Sequence, residues 1–208
     1  MKLYNSLQSQ PAKPFSQSCE ENKHVILEKI QPYLANKSSL LEIASGTGQH
    51  AIYFAKYMRH LNWQTSDLIE SHPGICQWLA EADLENIQQP LELNVSHAEH
   101  WPTEKFEALF SANSFHIMSK SNVEDFFKHL PKVMQKQTTL LVYGPFNYQG
   151  EFTSDSNARF DEWLKQRNPE SGIKDFEWCN ALAESAGLKL IDDIAMPQNN
   201  RILVWQTL

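Results

Sequence analysis

The chain has 208 residues, a formal net charge of −7 and a sequence pI near 5.6. This length favours one domain whose core needs no disulfides or bound metal. An acidic chain has no overall electrostatic reason to bind nucleic acid, and no apolar run is long enough to span a membrane. We therefore expect a small-molecule partner, no nucleic acid and no membrane; composition leaves the oligomeric state open.

Two features predict a cytoplasmic protein. The first 15 residues lack the apolar run of a signal peptide. Cys19, Cys76 and Cys179 lie far apart and form no CxxC pair, which is typical of reduced, structural thiols.

Helices and strands alternate along the chain after an N-terminal arm. We expect the arm over residues 1–17 and one domain over residues 18–208. The predicted strands are 40–44, 61–66, 91–95, 106–112, 138–143, 188–195 and 201–206. The predicted helices begin near residues 18, 50, 73, 121, 158 and 175. Capping boxes are expected at 18–21 and 121–124, and a long loop that serves as lid or substrate wall at 144–157.

This alternation predicts an α/β fold with parallel crossover units and a sheet covered on both faces. The last two strands have no helix between them, so they must pair antiparallel. The result is a three-layer, Rossmann-like sandwich with a seven-stranded, mostly parallel sheet and a C-terminal antiparallel hairpin. That layout is unusual for a dinucleotide-binding fold and typical of class I methyltransferases.

The most informative segment is the loop after the first strand, within LLEIASGTGQH (40–50). Gly46 and Gly48 permit positive φ and let a ligand approach the backbone. Asp67, at the end of the second strand, can accept hydrogen bonds from both ribose hydroxyls. A dinucleotide needs G-x-G-x-x-G, which survives here only as G-x-G-x-x-A, and Glu42 opposes a pyrophosphate. A cationic ligand such as S-adenosylmethionine (SAM) suits that acid better, while NAD and an ordinary strand–turn–helix remain alternatives.

Several segments together resemble a known family. They are LLEIASGTGQHAIYFA (40–55), WQTSD (63–67), ANSFHI (112–117), YGPF (143–146), FTSDSNARFDEWL (152–164) and MPQNNRILVW (196–205). This combination resembles the SAM-dependent methyltransferase-like family known as domain of unknown function 938, which is similar to methyltransferase-like protein 26. The resemblance implies a class I fold and SAM binding, but no substrate. The chain departs from the family at Ala44, a usual glycine, at Asn94, commonly Asp, and at Glu21, usually Arg.

The SAM hypothesis assigns residues to the cofactor at the carboxyl ends of the first four strands. The predicted cofactor-binding residues are Glu42, Ala44, Ser45, Gly46, Gly48, His50, Asp67, Asn94, Val95 and Ser111. Some of these assignments have structural alternatives, since His50 can simply begin a helix.

Methyl transfer mainly requires alignment of nucleophile, methyl carbon and sulfur, with a base only where the nucleophile holds a proton. His116 is the candidate base, and Asn113 and Tyr143 complete the predicted catalytic set. Each has a structural alternative, as a helix cap, a satisfied buried amide or a strand end. The predicted substrate-binding residues are Phe115, Phe146, Asn147, Phe152 and Asn200.

Two further patterns receive structural interpretations. His97 and His100 lie three apart in a polar loop without a third partner, so no metal site is predicted. Asn199 and Asn200 are expected to form the tight turn of the terminal hairpin.

The sequence favours a SAM-dependent methyltransferase that acts by direct in-line transfer on an unknown, small acceptor. The alternative from another class is a SAM-binding protein without turnover, used as a sensor or assembly partner. An NAD(P)-dependent oxidoreductase is the third hypothesis. The Asn/Asp-Pro-Pro-aromatic signature of many N-methyltransferases is absent after the fourth strand, which makes amino-group methylation of bases or glutamine less expected.

Overall fold

The computed structural model describes residues 12–207, so most of the predicted arm, residues 1–11, lies outside the described residues. The strands are β1 (Ser39–Ile43), β2 (Asn62–Asp67), β3 (Ile87–Glu92), β4 (Phe106–Ala112), β5 (Met134–Asn147), β6 (Lys174–Asp175), β7 (Leu188–Met196) and β8 (Asn200–Thr207). The helices are α1 (Gln17–Leu34), α2 (Gln49–Tyr57), α3 (His72–Ala82), α4 (Lys120–His129), α5 (Asp155–Arg167) and α6 (Phe176–Ser185). Across residues 12–207, no helix combines the length and the apolar character needed to cross a membrane.

The strands form one sheet in the order β3-β2-β1-β4-β5-β8-β7, and the two-residue β6 pairs with the end of β5. Strands β1 to β5 pair parallel, whereas β8 pairs antiparallel with both β5 and β7. The predicted fold class, a mostly parallel α/β sheet with a C-terminal antiparallel pair, is confirmed. The strand order reverses between β1 and β4, and ligands of open α/β sheets bind at the carboxyl ends of strands beside such a reversal.

The core has one layer on each face of the sheet because successive strand side chains point to opposite faces. On β1 and β4, Leu40 and Phe110 join the layer under α1 and α2, while Leu41 and Leu109 join the layer under α4 and α6. All four side chains are fully buried. Burial on both faces explains the continuous apolar runs of these central strands.

Several predicted boundaries are wrong by a few residues. The helix caps are Ser16 and Ser119, whose hydroxyls accept from the Cys19 and Asn122 amides at 3.3 and 3.1 Å. Both have the extended backbone that a cap requires, whereas the predicted caps, Ser18 and Ser121, already lie inside the helices. The third strand is β3 rather than 91–95, because it is a half-exposed edge strand with too few apolar residues to show in the pattern.

The predicted long loop over residues 144–157 is also wrong, because β5 continues to Asn147. Gly144 and Pro145 look like strand breakers, yet they pair with Arg201 and Asn200 of β8. A short turn then leads to α5 at Asp155. A strand that is completed by distant residues cannot be recognised from its own composition.

The turn of the terminal hairpin is displaced by one residue from its prediction. Gln198 and Asn199 adopt left-handed φ values of 59° and 58°. Asn200 is extended and begins β8. The left-handed positions therefore fall on Gln198 and Asn199 rather than on the two asparagines.

The segment 12–16 lies across α3. The Trp78 indole donates to the Pro14 carbonyl at 2.7 Å, and the Lys13 ammonium lies 3.5 Å from the centroid of the same ring. A β-carbon at Gly74 would overlap the Pro14 ring. The Ser16 amide donates to Gln49 Oε1 at 2.6 Å, which ties the start of α1 to α2.

We expect Gly74→Ala to release this segment, because the added β-carbon displaces Pro14. Losing about 1 kcal/mol of local contact raises the open population about fivefold, measurable as faster chymotryptic cleavage after Phe15. Trp78→Phe, which keeps a ring but removes the donor, should act in the same direction. Ala82→Gly loosens α3 without touching the segment, so equal cleavage in that control would contradict the assignment.

Candidate functional site

A cavity of about 1270 Å³ opens at the carboxyl edge of the sheet. Its walls come from the segments after β1, β2, β3 and β4, the C-terminal part of β5, one face of α1, the start of α5 and the β7–β8 turn. It spans the reversal of strand order between β1 and β4. The fold therefore brings most of the predicted functional segments to one site.

The loop after β1 forms part of the wall through left-handed backbone. Ala44, Gly46 and Gly48 have φ values of 62°, 60° and 86°. For the alanine this conformation costs roughly 1 kcal/mol, so glycine would adopt it with less strain. A β-carbon on Gly46 would meet no atom within 4 Å, whereas one on Gly48 would lie 3.3 Å from the Ile75 backbone. Gly46 thus leaves room for a ligand, and Gly48 permits α2 to pack on α3.

Glu42 places a buried carboxyl group at the cavity wall. The Trp63 indole and the Ser45 hydroxyl donate to its Oε2 at 3.0 and 2.9 Å. Burial raises the pKa of Glu42 to about 7 against these two hydrogen bonds, and the nearby Asp67 raises it further. A cation in the cavity would favour the ionised form.

Asp67 ends β2 at the same wall. Its Oδ2 accepts from the Gly46 amide and its Oδ1 from the Leu68 amide, both at 2.7 Å. Each carboxylate oxygen keeps a lone pair for hydroxyl donors from a ligand. Across the adjoining turn, Asn94 Oδ1 accepts from the Ser96 amide at 3.1 Å, beside Val95.

Helix α1 contributes wall residues that the sequence analysis missed. His50 Nε2 donates to Asn22 Oδ1 at 2.7 Å, and the Cys19 thiol lies 3.9 Å from His50 Nδ1. Burial lowers the pKa of His50 to about 4, so the ring is neutral. Burial raises the pKa of the Tyr143 hydroxyl, against a hydrogen bond with Asn22. Residues 18, 22 and 25 share one face of the helix, which was the available sequence signal. Using that signal would have required knowing where α1 packs.

His116 follows β4 and is 6% exposed. Its ring meets Phe160 edge-on, with centroids 5.3 Å apart. Burial lowers the pKa of His116 to about 4, and the nearby Lys174 ammonium adds to this. Within residues 12–207, Nδ1 has no hydrogen-bond partner. The ring is therefore a neutral imidazole at physiological pH.

The other residues after β4 shape the turn. Asn113 has a left-handed φ of 56°, and its amide donates to the Tyr143 carbonyl at 2.8 Å. Ser111 lies behind the wall, where its hydroxyl donates to the Ile43 carbonyl at 2.7 Å and accepts from Ser114. These bonds hold the β4 turn against β1 and β5.

Most predicted site residues meet at the cavity wall. They are Glu42, Ala44, Ser45, Gly46, His50, Asp67, Asn94, Val95, Asn113, His116, Tyr143 and Asn200.

Four predicted substrate residues lie elsewhere. Phe115 and Phe146 are in the core, with ring centroids 6.3 Å apart. Asn147 and Phe152 line a separate cleft of about 430 Å³. Phe146 and Asn147 lie in the continuation of β5, away from the cavity, and Phe160 of α5 lines the cavity instead.

The polar loop after β3 contains a third potential metal ligand that the sequence analysis left out. Ligand atoms of His97, Glu99 and His100 lie within 4.8 Å of one another. The His100 ring accepts from the Asn94 amide at 3.3 Å. The prediction that the two histidines have no third partner nearby in sequence is therefore wrong, since Glu99 lies between them.

The cavity wall is acidic. Its charged side chains are Glu21, Glu42 and Asp67, and within the described range 12–207 no lysine or arginine lines it. A pyrophosphate would be buried there without a positive partner. A ligand with positive charge is complementary to these walls.

The family description "Protein of unknown function (DUF938)" matches residues 13–207. The chain belongs to the DUF938 family.

Solved structures show a similar fold in methyltransferases. An O-methyltransferase family protein from Burkholderia thailandensis is 14% identical with a TM-score of 0.76, covering 90% of this chain and 59% of its own. Human N-acetylserotonin methyltransferase, solved in complex with SAM, is 12% identical with a TM-score of 0.73 over 91% of this chain and 52% of its own. This DUF938 chain thus spans little more than half of the proteins it matches. At these identities the likeness establishes the fold.

The pKa of Glu42 predicts how stability depends on pH. Since it is about 7 in the folded protein and 4.5 ordinarily, its stabilising contribution is full below pH 4.5 and is lost as the pH rises through 7. Relative to the native protein, Glu42→Gln should gain up to about 3 kcal/mol in unfolding free energy between pH 4.5 and 8. Urea denaturation across this range measures the difference. Glu162→Gln, at an exposed site, is the control; parallel curves for native protein and Glu42→Gln would refute the prediction.

Proposed function

We propose that this DUF938 protein is a SAM-dependent methyltransferase that transfers a methyl group in line to a small-molecule acceptor. The observation that carries the proposal is the acidic cavity beside the left-handed loop after β1. The similar structure of an O-methyltransferase family protein supports the same reaction class. We also propose that the protein is similar to methyltransferase-like protein 26. We propose a cytoplasmic location as well, which the free thiols of Cys19, Cys76 and Cys179 support.

The residues present fit SAM. Gly46 leaves open space beside its α-carbon, Asp67 offers two acceptors for ribose hydroxyls, and Glu42 offers negative charge to the methionine end. Asn94 and Val95 would flank the adenine. When bound, SAM would supply an electrophilic methyl group on a sulfonium.

The chain's own residues would hold the acceptor and manage its proton. His116 is neutral and lines the cavity, where its imidazole would accept the proton of a nucleophile. Tyr143 and Asn22 both line the cavity and would orient the acceptor, while Asn113 shapes the wall beside them. Alignment of this kind can supply several kcal/mol of the barrier reduction.

Calorimetric titration with SAM and S-adenosylhomocysteine tests the cofactor assignment, with NAD as the control ligand. We expect Asp67→Ala to weaken both adenosyl ligands about tenfold to a hundredfold, because a charged acceptor for ribose hydroxyls is lost. Asp67→Asn keeps one acceptor oxygen and should lie between. Equal binding of NAD, or unchanged affinity in Asp67→Ala, would refute the assignment.

The variant His116→Ala distinguishes the hypothesis of an enzyme from that of a SAM-binding protein without turnover. If His116 accepts the acceptor's proton, this change should lower turnover about a hundredfold or more and leave SAM affinity unchanged. Release of S-adenosylhomocysteine in the presence of an acceptor panel measures turnover. An unchanged rate would remove His116 from catalysis, and no release with any acceptor would favour the binding protein.

A further inference from the structure

The half of the cavity nearest β4, β5 and α5, here called the acceptor end, has no charged side chain in its wall among residues 12–207. Its wall includes His116, Ile117, Met118, Tyr143, Pro145 and Phe160. The amides of Asn157, Gln198 and Asn200 complete it. Apolar surfaces thus surround a few uncharged polar groups.

Two basic side chains on neighbouring strands, Lys174 and Arg201, are engaged elsewhere. Lys174 donates to the Met118 and Gly172 carbonyls at 2.7 and 2.8 Å, so its ammonium is engaged by backbone oxygens. Arg201 donates to the Asp193 side chain and carbonyl at 2.7 and 2.9 Å. Neither is a wall residue, and Glu21, on α1, is the acid at the rim.

This pattern discriminates between classes of acceptor. A carboxylate or phosphate placed against these walls would lose its hydration and gain no positive partner. An uncharged ring or aliphatic body would bury apolar area against Phe160 and Pro145. The uncharged polar groups of this wall can then form hydrogen bonds with an acceptor hydroxyl that lies next to His116.

Resting on the proposed function, we infer that the methyl acceptor is an uncharged, mainly apolar hydroxyl compound that carries no carboxylate or phosphate. In the reaction, the acceptor oxygen forms a bond to the methyl carbon as the sulfur–carbon bond breaks. The electron pair of that bond stays on sulfur and cancels the sulfonium charge. The hydroxyl proton moves to the His116 imidazole and then to water.

Fluorine NMR titration of the protein at pH 7.5 tests the preference with three probes that share one ring: 4-fluorophenol, 4-fluorobenzoate and 4-fluorophenyl phosphate. We expect 4-fluorophenol to bind at least about tenfold more tightly than either anion, as an unpaired buried charge implies. Equal or tighter binding of an anion would overturn the inference. So would failure of 4-fluorophenol to bind up to its solubility.

Two variants assign the bound probe to the acceptor end. Phe160→Ala should weaken 4-fluorophenol about tenfold, because an aromatic wall is lost. Trp163 stacks on Phe160 but does not line the cavity, so Trp163→Ala is the matched control. Equal weakening in both variants would place the probe elsewhere and contradict the inference.

A charge reversal at the rim provides an independent measurement. Glu21→Arg should strengthen 4-fluorobenzoate about threefold and leave 4-fluorophenol unchanged, because a half-solvated charge has a small effect. Glu21→Gln should give a smaller gain. No gain for the benzoate in Glu21→Arg would contradict the charge argument.

The titrations are run on the apo protein and repeated with S-adenosylhomocysteine. Failure to bind S-adenosylhomocysteine would refute the proposed function, while the order of the three probes on the apo protein still tests the inference. The two failures are therefore distinguishable.

Discussion

Parallel pairing of β1 with β2 on one side and β4 on the other positions the glycine loop, Asp67 and His116 at the cavity. The three strands point the same way, so their following loops meet at one edge of the sheet. The bond from the Gly46 amide to Asp67 locks the first two loops together, and Ser111 ties β4 to the end of β1. A change of register in any of these pairs would separate the acid, the glycine loop and His116.

Charge then decides which ligands such an edge accepts. The glycines of the β1 loop alone do not select the ligand, because they admit either a pyrophosphate or an adenosyl sulfonium. Glu42 is held out of water by Trp63 and Ser45, with its pKa raised by burial to about 7. A buried acid that loses its charge readily will recover it when a cation binds, which couples ligand binding to ionisation.

Helix α1 forms one wall of the cavity, although it precedes the sheet in the chain. Its start is anchored twice, by Gln49 on α2 and by the contact of Pro14 with Trp78 on α3. The anchors place Asn22 between His50 and Tyr143, whose own elements lie far apart in sequence. This wall of the cavity thus depends on contacts among α1, α2 and α3 rather than on a single sequence motif.

The sequence by itself determined the order of elements, the antiparallel end of the sheet and the groups beside the glycine loop. Glu42, Gly46 and Asp67 were predictable because each follows a local rule: an apolar run, a glycine turn and a strand end. The reach of β5 through Gly144 and Pro145, the core positions of Phe115 and Phe146, and the role of Asn22 were decided only by tertiary structure. Each depends on a partner distant in sequence: β5 on β8, Phe115 and Phe146 on each other, and Asn22 on His50. Pairing between distant segments leaves no mark on local composition.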